Sequence, residues 1–131
     1  MVSFLGCESL KTHESAENYL ETILMLSRDG KTVRSIDIAN ELEFTKPSVS
    51  VAMKNLRASG HIIVDDEGHI KLTDSGREIA QSMYDRHTLI SDWLIHMGVD
   101  KEIALKDACK MEHSMSEQSF FAIKEHIESL N

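Results

Sequence analysis

The chain has 131 residues, of which 41% are hydrophobic and 27% charged, and a formal net charge of −8. That length makes one domain or two small ones with a self-sufficient core, and no apolar run approaches the roughly eighteen residues of a membrane span. The acidic total argues against nucleic acid at first sight, because DNA binding rests on neutralising phosphates. The opening residues have no basic stretch ahead of a long apolar one, so no secretory signal is expected. Cys7 and Cys109, the two cysteines, stand in unlike contexts and form no disulfide framework; a reducing cytoplasm is the expected compartment.

One proline and seven aromatics leave few strand formers, and the chain reads as mainly α. A first amphipathic helix is expected from His13 or Glu14 to Arg28, with Ala16, Tyr19, Leu20, Ile23, Leu24 and Leu26 on its apolar side and Asp29-Gly30 ending it. A second covers Ser35–Leu42, with Ile36, Ala39 and Leu42 inward. After the short turn Glu43-Phe44 a third begins at Thr45, a good N-cap, with Pro47 in the first turn where a missing N–H is harmless. Its inward positions are Val49, Met53 and Leu56, and Ser59-Gly60 closes it. Two short strands, His61–Val64 and His69–Leu72, flank the turn signal Asp65-Asp66-Glu67-Gly68. Thr73-Asp74 caps a long helix to about Met97, Asp100 caps another to about His113, and Ser116 opens a last one to Leu130.

Helix, helix, short turn, helix and hairpin is the order of a winged helix-turn-helix. The expected organisation is such a DNA-binding domain over 1–73, then an all-helical domain over 74–131. Charge distribution outweighs total charge here. Phe44 to Val64 is the longest acid-free stretch and contains Lys46, Lys54 and Arg57.

Cys109, Glu112 and His113 stand at i, i+3 and i+4 and project from one helix face, so sulfur, oxygen and nitrogen can meet one ion. Leu105, Ala108, Cys109 and Glu112 form a single stripe, which places a carboxylate in a slot that otherwise reads as core. A carboxylate there is expensive unless it meets a cation or donors. The plainer reading is a small core cysteine beside a surface Glu-His pair. His87 lies within the apolar stripe of Ile79, Ala80, Met83, Tyr84, Ile90 and Leu94, where a histidine is more often core than ligand. Glu14, Glu17, Asn18 and Glu21 form an acidic face on the first helix, and most such faces are merely solvated.

Together these features resemble the iron-dependent repressors of the diphtheria-toxin-repressor type and their manganese-responsive relatives. The resemblance runs from about Glu14 to Leu130. It rests most on the run from Asp107 to Ser116, with ENYLETI at 17–23, TKPSVSVAMKNL at 45–56, LTDSGREIA at 72–80 and the pair Arg86-His87. It implies that the helical domain over 74–131 is a dimerisation and metal-binding domain, with Cys109, Glu112 and His113 as ligands from the fifth helix and His87 from the fourth. Glu21 matches a carboxylate ligand of the manganese-responsive members. Position 18 carries a thioether in iron-type members and a carboxylate in manganese-type ones; here Asn18 offers an amide oxygen, a weak donor. Leu105 and Ser91 replace side chains that complete an ancillary site in the larger iron-type proteins, and the chain stops where those add an SH3-like domain. One dominant ion is therefore expected, with a second weak site around Asn18 and Glu112-His113 left open.

Thiolate and imidazole suit iron, while manganese prefers oxygen and its regulators have a carboxylate where this chain has Cys109. The expected cofactor is Fe²⁺, with Mn²⁺ the alternative and Co²⁺, Ni²⁺ or Zn²⁺ able to bind in vitro. The expected partners are double-stranded operator DNA and a second copy of the chain, with no membrane. Thr45, Lys46, Pro47, Ser48, Ser50 and Val51 are placed to reach base edges and nearby phosphates, and Lys54 and Arg57 to meet phosphates. Rival readings are a winged-helix regulator responding to a small ligand or to oxidation of Cys109, a metal carrier, and a hydrolase using Cys109 with His113 or His87. The last is disfavoured because Cys109 lacks the loop setting that exposes a nucleophile. No enzymatic activity is expected.

Overall fold

The computed structural model describes residues 16–130, apart from the side chain of His113; Cys7 and Glu14 fall outside the described residues. Helix α1 (Ala16–Leu26) buries Tyr19, Leu20, Ile23 and Leu24 against the core. Ala16, expected inward, is exposed at the start of the helix. A 3₁₀ turn, Arg28–Gly30, ends α1 with Asp29 at φ 63°, a left-handed conformation that Asp tolerates better than most residues.

Helices α2 (Ser35–Leu42) and α3 (Lys46–Ala58) form the helix-turn-helix. The backbone N–H of Arg34 donates to Asp37 Oδ2 at 2.9 Å and fastens the start of α2. Its inward residues are Ile38, Ala39 and Leu42; Ile36, expected inward, is 38% exposed. Both isoleucines stand at helical spacing from an inward neighbour, so periodicity alone does not choose between them. Glu43 turns the chain at φ 59°, and Thr45 caps α3 by accepting the Ser48 N–H. Val49, Met53 and Leu56 are buried as expected.

Strands β1 (Ile62–Val64) and β2 (Ile70–Leu72) pair antiparallel with Ile62 opposite Leu72 and Val64 opposite Ile70. The Ile70 N–H donates to Val33 O at 2.7 Å, so the segment before α2 runs beside the hairpin. Ile62, Ile70 and Val33 thereby join α1, α2 and α3 in one apolar core that also takes in Ala80 of the next helix.

Helix α4 (Asp74–His96) leaves that core as a long beam. Its first turn is bolted to the hairpin. The Thr73 N–H donates to His61 O, and the Thr73 hydroxyl donates to Gly60 O while accepting the Gly76 N–H. A Cβ at position 76 would overlap the His61 carbonyl oxygen, so glycine is required by this close approach. Helix α4 packs mainly against α1 and α5 (Lys101–Ser114), and α6 (Glu117–Ser129) closes the described chain. Asp100 stands where the N-cap of α5 was expected, but its carboxylate makes no cap hydrogen bond. Ser116 does cap α6, accepting the Ser119 N–H. The architecture is a winged helix-turn-helix followed by a helical unit. Among the described residues no helix is long and apolar enough to cross a membrane.

Candidate functional site

The interior faces of α1, α4 and α5 carry polar groups where a core would be apolar. His87 is 1% exposed and Glu112 is 2% exposed, while Cys109, Glu21 and Asn18 are all at 0%. The helical period explains how they come inside. His87 continues the Ala80–Met83–Ile90 stripe of α4, and Cys109 and Glu112 continue the Ala104–Ala108 stripe of α5. The packing of α4 on α5 then turns the two stripes toward each other.

His87, Cys109 and Glu112 each offer a ligand atom within 4.8 Å of the other two. His87 Nδ1 lies 3.7 Å from Glu112 Oε2. Thiolate, imidazole and carboxylate at this mutual distance form a donor set that fits a single divalent ion, and the chemistry of the donors is that of a borderline-soft transition metal. The residues present therefore fit a divalent transition metal. Glu21 is not part of this mutually close trio, although it is buried on α1, which packs against the same long helix. Asn18 is buried three residues earlier on that helix, while Glu17 is exposed. The acidic face of α1 is thus not a uniformly solvated one. His113 belongs to α5, but its side chain lies outside the described residues, and so does Glu14.

Cys109 is further enclosed by Met25 of α1, Tyr84 of α4 and Leu105 of α5. Arg28, just beyond α1, lies over the Tyr84 ring at 4.3 Å from its centroid. These contacts join α1 to α4 and α5 beside the thiol, and sequence reading missed them. Met25 stands four residues after Glu21, the one available signal.

Helix α3 presents the opposite arrangement. Thr45, Lys46, Pro47, Ser50, Val51, Lys54 and Arg57 are exposed, and Val51 is 59% exposed. Ser48 is half-buried, and its hydroxyl accepts from the Thr45 hydroxyl at 2.8 Å. On the wing, Asp65 accepts the N–H groups of Glu67 and His69, and the His69 bond above all holds its carboxyl below the usual 3.8.

Residues 11–70 match the family model of the iron dependent repressor N-terminal DNA binding domain, and residues 73–131 match that of the iron dependent repressor metal binding and dimerisation domain. The chain belongs to the iron-dependent repressor family. Within that family it is 33% identical over 111 residues to the transcriptional regulator MntR of Escherichia coli O6:H1, covering 85% of this chain and 72% of that protein. It is 32% identical over 105 residues to the iron-dependent repressor IdeR of Mycobacterium bovis, covering 79% of this chain and 46% of that one. The crystal structure of ScaR with bound Zn²⁺ superposes with a TM-score of 0.76 at 26% identity, covering 87% of this chain and 54% of that one. The chain thus spans about half the length of IdeR and of the ScaR chain. The family is one of metal-dependent transcriptional repressors, and the relatives named are regulators rather than enzymes.

Proposed function

We propose that this chain is a cytoplasmic repressor that binds palindromic operator DNA as a homodimer when Fe²⁺, or alternatively Mn²⁺, occupies the site on α4 and α5. The observation that carries this reading is the buried trio His87, Cys109 and Glu112, with ligand atoms within 4.8 Å of one another. Glu21 and Asn18 from α1 and His113 from α5 complete the proposed ligand set. The bound ion supplies one positive charge centre toward which sulfur, nitrogen and oxygen donors are drawn together.

What the chain's own residues do follows from their placement. Glu21 and Asn18 belong to the winged domain over 1–73, and Cys109 and Glu112 to the helical domain over 74–131. Holding both sets at one point ties α1 to α5 across α4 and orients α3. In a two-fold dimer the recognition helices then sit about 34 Å apart, one turn of DNA. Thr45, Lys46, Pro47, Ser48, Ser50 and Val51 meet bases and nearby phosphates, while Lys54 and Arg57 neutralise phosphates. Trp93, Leu94, Phe121 and Ile123 supply apolar surface for the dimer, whereas Phe120, which the sequence also suggests for that face, is buried within the chain.

Relatives are named for iron and for manganese. Cys109 supports Fe²⁺, because a thiolate favours softer ions than Mn²⁺. Co²⁺, Ni²⁺ and Zn²⁺ are expected to bind in vitro. Oxidation sensing at Cys109 has less support, since the thiol is fully buried. The deciding experiment is operator binding across an anaerobic metal series at constant salt. Tight binding with Fe²⁺ or Co²⁺ and weak binding with chelator are expected. Equal affinity in both conditions removes the proposal.

A further inference from the structure

We propose that Arg86 is a positioning residue for the metal site, fastening the C-terminal end of α5, and with it Glu112, to α4 and α6. The inference rests on the metal-site reading above and adds to it a residue with no ligand role. The last four carbonyls of a helix have no intrahelical donor and need outside partners. Helix α5 ends at Ser114, and Glu112 O is one of those carbonyls. Arg86 Nη2 donates to Glu112 O at 3.3 Å and to Met115 O, just past the helix, at 3.2 Å. The guanidinium also lies over the Phe120 ring at 4.7 Å from its centroid, and Phe120 is 6% exposed in the first turns of α6.

One side chain of α4 therefore holds the end of α5, the joint after it and the start of α6. A cation at a helix C-terminus is favourable in any case, because the helix dipole is negative there. Two features go beyond an ordinary cap. The carbonyl held is that of Glu112, whose carboxylate faces His87 at 3.7 Å. The holding residue is also the chain neighbour of His87, and successive helical residues diverge by about 100°. One turn of α4 thus aims imidazole at the site and guanidinium at the backbone carrying the opposing donor. Lysine is a poorer substitute, because its ammonium lacks the planar guanidinium whose face lies on the Phe120 ring while Nη2 donates to both carbonyls.

The test compares wild type, Arg86→Met and Arg86→Lys as full chains in two measurements. In metal-free protein, amide exchange read by mass spectrometry should accelerate in Arg86→Met across the α5–α6 joint and stay unchanged in α3. In anaerobic Co²⁺ titration, Arg86→Met should lose about 10–100-fold in affinity, the range for outer residues that orient ligands. The thiolate-to-cobalt absorption from Cys109 should persist while the d–d bands shift, and Arg86→Lys should recover part of the affinity. Unchanged exchange at the joint, exchange raised throughout the chain, or Co²⁺ affinity and spectrum equal to wild type would each overturn the proposal. A wild type that takes up no Co²⁺ removes the metal-site reading itself, and the positioning role with it, whatever the exchange result.

Discussion

Helices α3 and α5 have 13 and 14 residues and dispose of their polar side chains in opposite ways. Helix α3 turns Val49, Met53 and Leu56 inward and leaves its hydroxyls and cations in water. Helix α5 turns Cys109 and Glu112 inward beside Ala104 and Ala108. An exposed polar residue costs nothing whether or not it has a partner, so the outward face of α3 does not by itself report what it touches. An ionisable side chain held inside costs free energy unless a cation or donors meet it, so the inward face of α5 is informative. The buried region declares its chemistry, and the exposed region declares only its availability.

Perturbing the buried side should give the largest response. Replacing Glu112 by Ala is expected to lower Fe²⁺ or Co²⁺ affinity by at least about 100-fold, the upper range even for residues one step removed from a metal. Circular dichroism should show the helical content retained. Titration showing wild-type affinity in that variant would mean that burial on α5 has a purely structural cause.

Next in size is the bolt between the two regions. Gly76→Ala drives a methyl group into the His61 carbonyl and should destabilise the protein by about 1–3 kcal/mol in denaturant melts. A melt identical to wild type would mean that the first turn of α4 shifts freely against the hairpin, and the two regions are then less rigidly coupled than the Thr73 and Gly60 bonds imply.

The exposed face should respond more weakly and in a different variable. Lys54→Ala should reduce affinity for every DNA sequence and flatten the slope of log K against log salt by about 0.9, one phosphate's worth. Ser50→Ala should change base preference while leaving that slope alone. Identical behaviour of the two variants on operator and random DNA would break the division of α3 into reading and neutralising positions.

Smallest is the wing tip. The carboxyl of Asp65 is exposed, yet the His69 and Glu67 N–H groups hold it below 3.8. Since the folded value is depressed, its stabilising contribution is fully present above the unfolded value. That contribution fades as the pH falls through the lower folded one. A carboxyl titration followed by NMR should place the midpoint under 3.8 in wild type. A midpoint at or above 3.8 would mean that the turn does not hold in solution.

The helices, the hairpin and the order that makes a winged helix-turn-helix were legible in the sequence. Caps such as Thr45, Thr73 and Ser116 and the stripes on α3 and α4 are local signals, set by the chain's own dihedrals and periods. The stripe containing Cys109 and Glu112 was legible for the same reason. Three things were not. Periodicity admitted Ile36 as readily as Ile38 for the buried side of α2, and only packing against α1 and α3 selected Ile38. The run Glu17, Asn18, Glu21 read as one polar face, whereas the structure leaves Glu17 in water and buries Asn18 and Glu21. Arg86 carried no signal beyond standing next to His87, because the carbonyls it holds belong to residues 26 and 29 positions away. A repeat along one helix fixes directions about that helix's own axis. Distances between helices, and hence whether donors from α4 and α5 meet within 4.8 Å, arise only when the cores of separate elements pack together.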